Sequence, residues 1–320
     1  MFTPQTVLIG TSLGEESDAI VRTGVEIARA AGAPAWLVHA YMPPAFLPEF
    51  GTLDRMWIEE QGEVLTKELD AQARRTGLAD LPGFASGRLR LAIGAPYRNL
   101  VELAGQIHAD LIVVGASEVG ALRHFLGSTA DGVMRKAPCP VLIVRPGAAF
   151  PPARVEIPVD LSPVAAQAVR TGLDFLALLG VKPTGTEVLF VLNPLEVAGS
   201  IHFTPEQIER FAKDELSRFL KVNGLGANSG VARVRTGYPR EEILGALEER
   251  EVDLAVLGTH GRKGFERLML GSVAAAVAHH AACNLLVVPP AAVPAYEVVE
   301  DEAETWTGAD RSFVADEVPA

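Results

Sequence analysis

The chain has 320 residues, 48% of them hydrophobic and 21% charged, which excludes a wholly disordered protein and fits about two globular domains at roughly 100–200 residues each. A formal charge of −12, from 28 basic and 40 acidic residues, argues against holding nucleic acid by broad phosphate neutralisation. Two cysteines cannot make a disulfide framework. No apolar run approaches the ~20 residues of a membrane span, and the opening MFTPQTVLIGTSLG has no basic segment followed by a long apolar one. The chain is therefore expected to be cytoplasmic, with neither a membrane nor a nucleic acid as partner.

In chain order, Thr6–Gly10 is expected to be a buried strand and Glu16–Ala31 a helix, followed by a strand at Ala35–Ala40. Arg55–Arg75 has helical composition. Strand Leu89–Ile93, helix Tyr97–His108, strand Leu111–Gly115, helix Ser128–Lys136 and strand Val141–Arg145 follow. The order then starts again at strand Val155–Val159 and closes with strand Leu285–Pro289. Near-continuous Val/Ile/Leu strands alternating with helices predict a mainly parallel sheet covered on both faces. The fold class is thus α/β: two tandem doubly wound domains, with ligands expected outside the strand carboxyl ends at the switch point.

The repetition is explicit. ADLIVVGA at Ala109–Ala116 returns as VDLAVLGT at Val252–Thr259, and GAPYRNL at Gly94 returns as GYPREEI at Gly237, both shifted by 143 residues. FLGS ending at Ser128 returns as MLGS ending at Ser272, and PCPVLIVRP at Pro138 returns as ACNLLVVPP at Ala282, both shifted by 144. The first copy therefore lacks one residue between Gly115 and Gly120. A boundary in RPGAAFPPAR gives domains 1–147 and 148–292, with an acidic tail at 293–320. Residues 296–320 carry eight acids and one Arg, as solvated tails do.

The segment most able to carry chemistry is GTHGRKGFERLMLGS, Gly258–Ser272. It leaves an apolar strand and ends where a helical run, VAAAVAHH, begins. A helix start offers unpaired N–H groups and a positive dipole end, suited to phosphate. Glycine lets backbone approach a ligand closely, and Ser272 can cap the helix or donate to a phosphate oxygen. Arg262 and Lys263 either add charge or face water. The spacing is neither a Walker A loop nor a GxGxxG fingerprint, and a turn without a ligand is the competing reading.

Gly-x2-Gly-x9-Gly-Ser after a strand resembles the ATP-binding motif of the universal stress protein family, and Gly258, Gly261, Gly271 and Ser272 fit it without a gap. VEIPVDLSPVAAQAV, from Val155, is similar to that family's opening strand with Asp-x-Ser. The Gly237/Pro239 turn and the final strand Cys283–Val288 agree as well. The resemblance implies an open five-stranded sheet in each half, and ATP, accompanied by Mg²⁺, held mainly by the second domain. It implies Asp160 facing the adenine, Leu192 beside it, and backbone at Gly258, Gly261, Gly271 and Ser272 around the phosphates. Val191, one residue from Leu192, competes for that role by strand alternation. Family members pair through the last strand, so a tandem chain can form that pairing internally, as a pseudo-dimer; a homodimer of whole chains and an unidentified protein partner stay open.

The first copy departs from the pattern. GASEVGALRHFLGS keeps Gly127 and Ser128 but has no second Gly, and Glu118 sits beside the gap, where a carboxylate repels triphosphate. Ser12 stands where the second copy has Asp160, and Gly14 where it has Ser162. The first site is expected to be degenerate and structural. His279–His280 lack metal-ligand spacing, Cys139 and Cys283 read as small buried hydrophobes, His260 as loop filler, and Tyr41–Trp57 as a packing segment. No nucleophile elbow is present. The functional reading is an ATP-binding signalling protein with at most slow hydrolysis. Its rivals are an interaction scaffold without nucleotide and a weak adenine-nucleotide hydrolase, although VDLSPVAAQ is not the SGGxDS loop the latter requires.

Overall fold

The computed structural model describes residues 2–42, 55–116, 126–193, 204–225, 230–259 and 270–290. The first half runs β1 (Val7–Thr11), a 3-10 turn (Glu15–Ser17), α1 (Asp18–Ala31), β2 (Ala35–Tyr41), α2 (Arg55–Arg75), β3 (Leu89–Ile93), α3 (Pro96–Gln106), β4 (Leu111–Gly115), α4 (Ser128–Lys136) and β5 (Val141–Val144). The second half repeats it as β6 (Val155–Val159), α5 (Pro163–Leu178), β7 (Thr186–Leu192), α6 (Pro205–Val222), β8 (Val231–Thr236), α7 (Pro239–Glu249), β9 (Leu254–Gly258), α8 (Ser272–His280) and β10 (Asn284–Val288). The expected elements are all present, with ends shifted by one or two residues. Arg145 lies just past its strand rather than in it.

The strands form one sheet of ten in the order β3-β2-β1-β4-β5-β10-β9-β6-β7-β8. Each half contributes five parallel strands, and the halves join where β5 pairs antiparallel with β10, with Leu285 opposite Ile143, Leu286 opposite Leu142 and Val287 opposite Val141. Leu142 and Leu286 are equivalent under the 144-residue shift, so a pseudo-twofold axis passes between them. The expected internal pairing of last strands is the joint of the molecule.

Strand residues alternate between two apolar layers. Val7, Ile9, Ile157 and Val256 pack under α1, α2, α5 and α6, whereas Leu8, Ile112, Ala255 and Leu285 pack under α3, α4, α7 and α8. Both layers take residues from both halves and run unbroken across the joint. This explains why the inner strands read as continuous apolar runs: neither of their faces meets water. Gly32 and Gly180, equivalent positions with φ of 65° and 68°, end α1 and α5 in the left-handed turn that glycine adopts without strain.

At the amino ends of the second half's strands the apolar rule breaks. Glu156 of β6 and Glu187 of β7 are register partners, and Glu156 is fully buried. Arg250 bonds Glu156 and lies 3.3 Å from Glu187, whose other oxygen is 2.6 Å from Arg233. Burial pushes the Glu156 carboxyl up to about 7, outweighing the pull of Arg250.

Two outcomes follow. Leu286→Ala, which opens a cavity on the pseudo-twofold axis, should cost about 2–5 kcal/mol, seen by urea denaturation as one shifted transition for both halves; two separate transitions would contradict the shared core. Glu156 binds its proton more tightly folded than unfolded, so its contribution favours folding at low pH and fades as pH rises from about 4.5 through about 7. Between those pH values Glu156→Gln should lose less of its urea midpoint than the parent chain does.

Candidate functional site

In the second half the chain goes from β6 outward to β7 and β8, then returns to β9 on the other side of β6. The switch point therefore lies between the carboxyl ends of β6 and β9, where open α/β sheets bind ligands. The β6–β9 ladder comprises Val155↔Leu254 and Glu156↔Ala255, while its first-half counterpart continues one pair further, to Ile9↔Val113. Pro158, which has no N–H to give, follows just beyond the last pair. The crevice opens where β6 and β9 cease to pair.

Asp160 is the first residue past β6. Its Oδ1 accepts the Ser162 N–H at 3.1 Å, closing a turn over Leu161, whose φ is +65°. A leucine there is strained, and Leu13 repeats it at the equivalent position with φ +74°. Ser162 caps α5, its Oγ accepting the Ala165 N–H at 3.2 Å. Gly258 ends β9, and a Cβ on it would lie 3.0 Å from Val164 Cγ1, at the start of α5. The chain then turns inward: Thr259 N–H donates to Val288 at 3.1 Å, and Gly271 N–H returns to the Thr259 carbonyl at 2.7 Å.

That pair of bonds brings the start of α8 to the end of β9. Gly271 is the cap residue and Ser272 the first helical one, exposed and making no side-chain cap. The capping role that the sequence allowed Ser272 is thus not used, and the first turn of the helix has N–H groups without intrahelical partners. Leu192 closes β7, with its carbonyl accepting the Gly237 N–H at 3.0 Å. Leu192 packs under α5 and α6, and Val191 under α7 and α8. Asp160, Leu192, Gly258, Gly271 and Ser272 therefore all lie at one edge of the sheet. Gly261, His260, Arg262 and Lys263 fall outside the described residues, as do Glu118, most of Tyr41–Trp57 and the tail at 293–320.

The first half has the same frame. Gly94 N–H donates to Tyr41, Ala116 N–H to Val144 and Gly127 N–H to Ala116, matching Gly237–Leu192, Thr259–Val288 and Gly271–Thr259. The missing residue lies between Ala116 and Gly127, and Tyr41 is the counterpart of Leu192.

What fills the first frame is different. Thr11 Oγ1 lies 2.9 Å from Ser17 Oγ and donates to Gln72 Oε1 at 2.7 Å. Gln72 Nε2 donates to Ser17 Oγ and Asp18 Oδ1, both at 2.9 Å, and Arg75 Nε donates to Asp18 Oδ2 at 2.8 Å. Arg75 also reaches the Leu13 carbonyl at 3.1 Å, and His39 Nδ1 donates to the Thr11 carbonyl at 2.9 Å. Burial opposes ionisation of Asp18, but its bonds from Arg75 and Gln72 win and lower its pKa. The equivalents of Thr11, Ser17, Asp18 and Gln72 in the second half are Val159, Ala165, Ala166 and Phe219. Ser12, in Asp160's place, has a buried hydroxyl without a hydrogen-bond partner. Sequence reading missed this network because its members span about sixty residues and no motif joins them; the polar-for-apolar exchange between copies was the available signal.

Elsewhere, His279 lies 3.6 Å from Asp131 across the joint, and Arg240 donates to His280 Nε2 at 3.1 Å. Among the described residues no group of three or more His, Cys, Asp or Glu is arranged to hold a metal, and no helix is long and apolar enough to cross a membrane. Cys139 and Cys283 are buried free thiols, pushed up to about 12 and about 11 by burial.

A family model described as "Universal stress protein family" matches residues 4–145 and 153–289. A universal stress protein of Mycobacterium tuberculosis is 28% identical over 296 residues, covering 88% of this chain and 96% of that one. Among solved structures, a universal stress protein from Archaeoglobus fulgidus superposes with a TM-score of 0.64 at 17% identity, covering 90% of this chain and 99% of its own. A universal stress protein crystallised in complex with cAMP is 28% identical, covering 45% of this chain and 98% of its own at a TM-score of 0.35.

Asp18→Ala should test the first-half network. It strands the Arg75 and Gln72 donors and should cost about 1–3 kcal/mol at pH 7. Because the Asp18 pKa is lowered in the fold, its contribution is present above the unfolded value near 3.8 and lost as pH falls through the folded one. The urea-denaturation gap between variant and parent should therefore shrink at pH 3.

Proposed function

The chain belongs to the universal stress protein family, and from that premise we propose that it binds an adenine nucleotide, ATP with its Mg²⁺, in the second domain, and acts as a cytoplasmic regulatory protein. One observation carries the reading. At the second domain's switch point a carboxylate, Asp160, just past β6, and a helix start, Gly271–Ser272, bonded back to the end of β9, lie at the same edge of the sheet. The first domain offers Ser12 there, beside a closed side-chain network.

The fit to a nucleotide is physical. Phosphate suits the N-terminus of α8, where unpaired N–H groups and the dipole act together. Gly258 leaves space at the end of β9, because a side chain there would crowd Val164. Asp160 accepts hydrogen bonds, which suits a purine amino group or a ribose hydroxyl, and Leu192 gives the end of β7 an apolar wall. Gly261 belongs to the same reading through its place in the motif. Bound Mg²⁺ would supply charge neutralisation of the phosphates. In this proposal the nucleotide is a signal, with at most slow hydrolysis, and the Ser162 N–H fixes the Asp160 carboxylate in place. A signal needs different affinity in two states of the protein.

Calorimetric titration of ATP with Mg²⁺ into nucleotide-stripped chain should give one site per chain, with cAMP titrated alongside. Asp160→Ala and Gly261→Glu should each abolish that heat. Gly261→Glu should leave the ligand-free melting temperature nearly unchanged, and Asp160→Ala, which loses the Ser162 N–H bond, should cost only about 1 kcal/mol of stability and stay folded at the titration temperature. Two sites per chain would refute the silent first domain. No heat and no thermal shift with either nucleotide would refute the nucleotide reading and leave an interaction scaffold.

A further inference from the structure

The joint between the halves is symmetric in its backbone and asymmetric in its side chains. Under the 144-residue shift, Arg145 is the counterpart of Pro289, and Asn284 that of Pro140. One end of the joint therefore carries a guanidinium and a carboxamide, and the other carries two prolines without N–H donors. Arg145 is 2% exposed and Asn284 1%. Asn284 Oδ1 accepts the Arg145 N–H at 2.9 Å, and Asn284 Nδ2 donates to the Ala149 carbonyl at 3.1 Å, so one side chain of the second domain holds the chain as it leaves β5. Arg145 Nη2 donates to the Ala278 carbonyl.

Ala278 lies in the last turn of α8. The Ala281 N–H closes the helix on Val277 at 2.8 Å, so the next carbonyl, that of Ala278, has no intrahelical donor. Ala278 is fully buried, and an unmet carbonyl there would be costly. A cation at a helix carboxyl end also suits the dipole. Seven residues, about 10 Å of helix, separate Ala278 from the N-terminus at Gly271. The arginine sits on the helix of the second domain's site, while the counterpart facing the first domain's helix, α4, is Pro289.

Resting on the nucleotide reading above, we propose that Arg145 of the first domain is a positioning residue for the second domain's phosphate site, holding α8 by its carboxyl end so that its N-terminus stays set against β9. The first domain then has a role in binding without a ligand of its own. Arg145 also follows Val144, whose carbonyl takes the Ala116 N–H at 3.0 Å, so the contact ties the first domain's own strand-end turn to α8.

The test is calorimetry on the full chain with ATP and with adenosine, well below the melting temperature of each variant. Arg145→Met should weaken ATP about tenfold and adenosine less than about twofold, because adenosine makes no phosphate contact with α8. Arg145→Lys, which keeps a buried donor and charge, should recover most of the ATP affinity. Equal weakening of both ligands, or unchanged ATP affinity in Arg145→Met, would overturn the proposal. Should Arg145→Met fail to fold, hydrogen exchange on the shorter, uncharged Arg145→Gln decides: faster exchange than the parent at amides 275–281, with α4 unchanged, supports the contact, and unchanged exchange at 275–281 overturns it. A parent chain that binds neither ligand overturns the nucleotide reading, and exchange still reports separately on whether Arg145 holds α8.

Discussion

The antiparallel pairing of β5 with β10 is the contact on which the rest of the molecule depends. Each domain's fifth strand is apolar along its paired length, VLIV in one and, after Asn284, LLVV in the other. Left as an edge, either strand would expose unpaired backbone between two apolar faces, an invitation to aggregate. Pairing them satisfies those groups, merges four helical layers into two continuous cores, and moves the free edges out to β3 and β8. Those outer strands are shorter of apolar residues and more exposed, with Arg90, Arg233 and Arg235 interrupting them.

The same pairing fixes the direction of the two halves. Because β5 and β10 are antiparallel, the carboxyl edge of one domain's strands lies beside the amino edge of the other's. A residue leaving β5 therefore arrives at the carboxyl end of α8, and this is how Arg145 reaches Ala278. In a side-by-side parallel arrangement the first domain would present a different end of its sheet to that helix. Cross-domain contact with the helix of the second site is a consequence of strand polarity.

The two copies fill equivalent positions with different chemistry. Arg90 lies over Trp36 at 5.3 Å on the first domain's β2–β3 pair, whereas the equivalents Arg233 and Glu187 form an ion pair. Leu8 is plain core, and its equivalent Glu156 is a buried acid held by Arg250. Beneath the first site, Thr11, Ser17, Asp18 and Gln72 form a satisfied polar cluster where the second domain packs Val159, Ala165, Ala166 and Phe219. A buried polar network tolerates little rearrangement, since every member left unmet is costly.

The amino-acid sequence by itself determined the repeat, the alternation of strands and helices, and the parallel five-stranded sheets. These follow from local facts: apolar runs of strand length, glycine at helix ends, and the constant shift of 143 to 144 residues between ADLIVVGA and VDLAVLGT and between the last strands. It also determined which copy keeps Asp160 and the glycine spacing. Only the tertiary structure decided that Ser272 begins its helix without capping it, that Leu192 and Val191 face opposite layers, and that side chains from α1 and α2 meet in one polar network at the end of β1. It alone brought Arg145 to Ala278, 133 residues away in the chain. The physical reason is the same in each case. Periodicity records whether a side chain is buried, whereas the partner it meets there is chosen by the crossing of elements far apart in the chain.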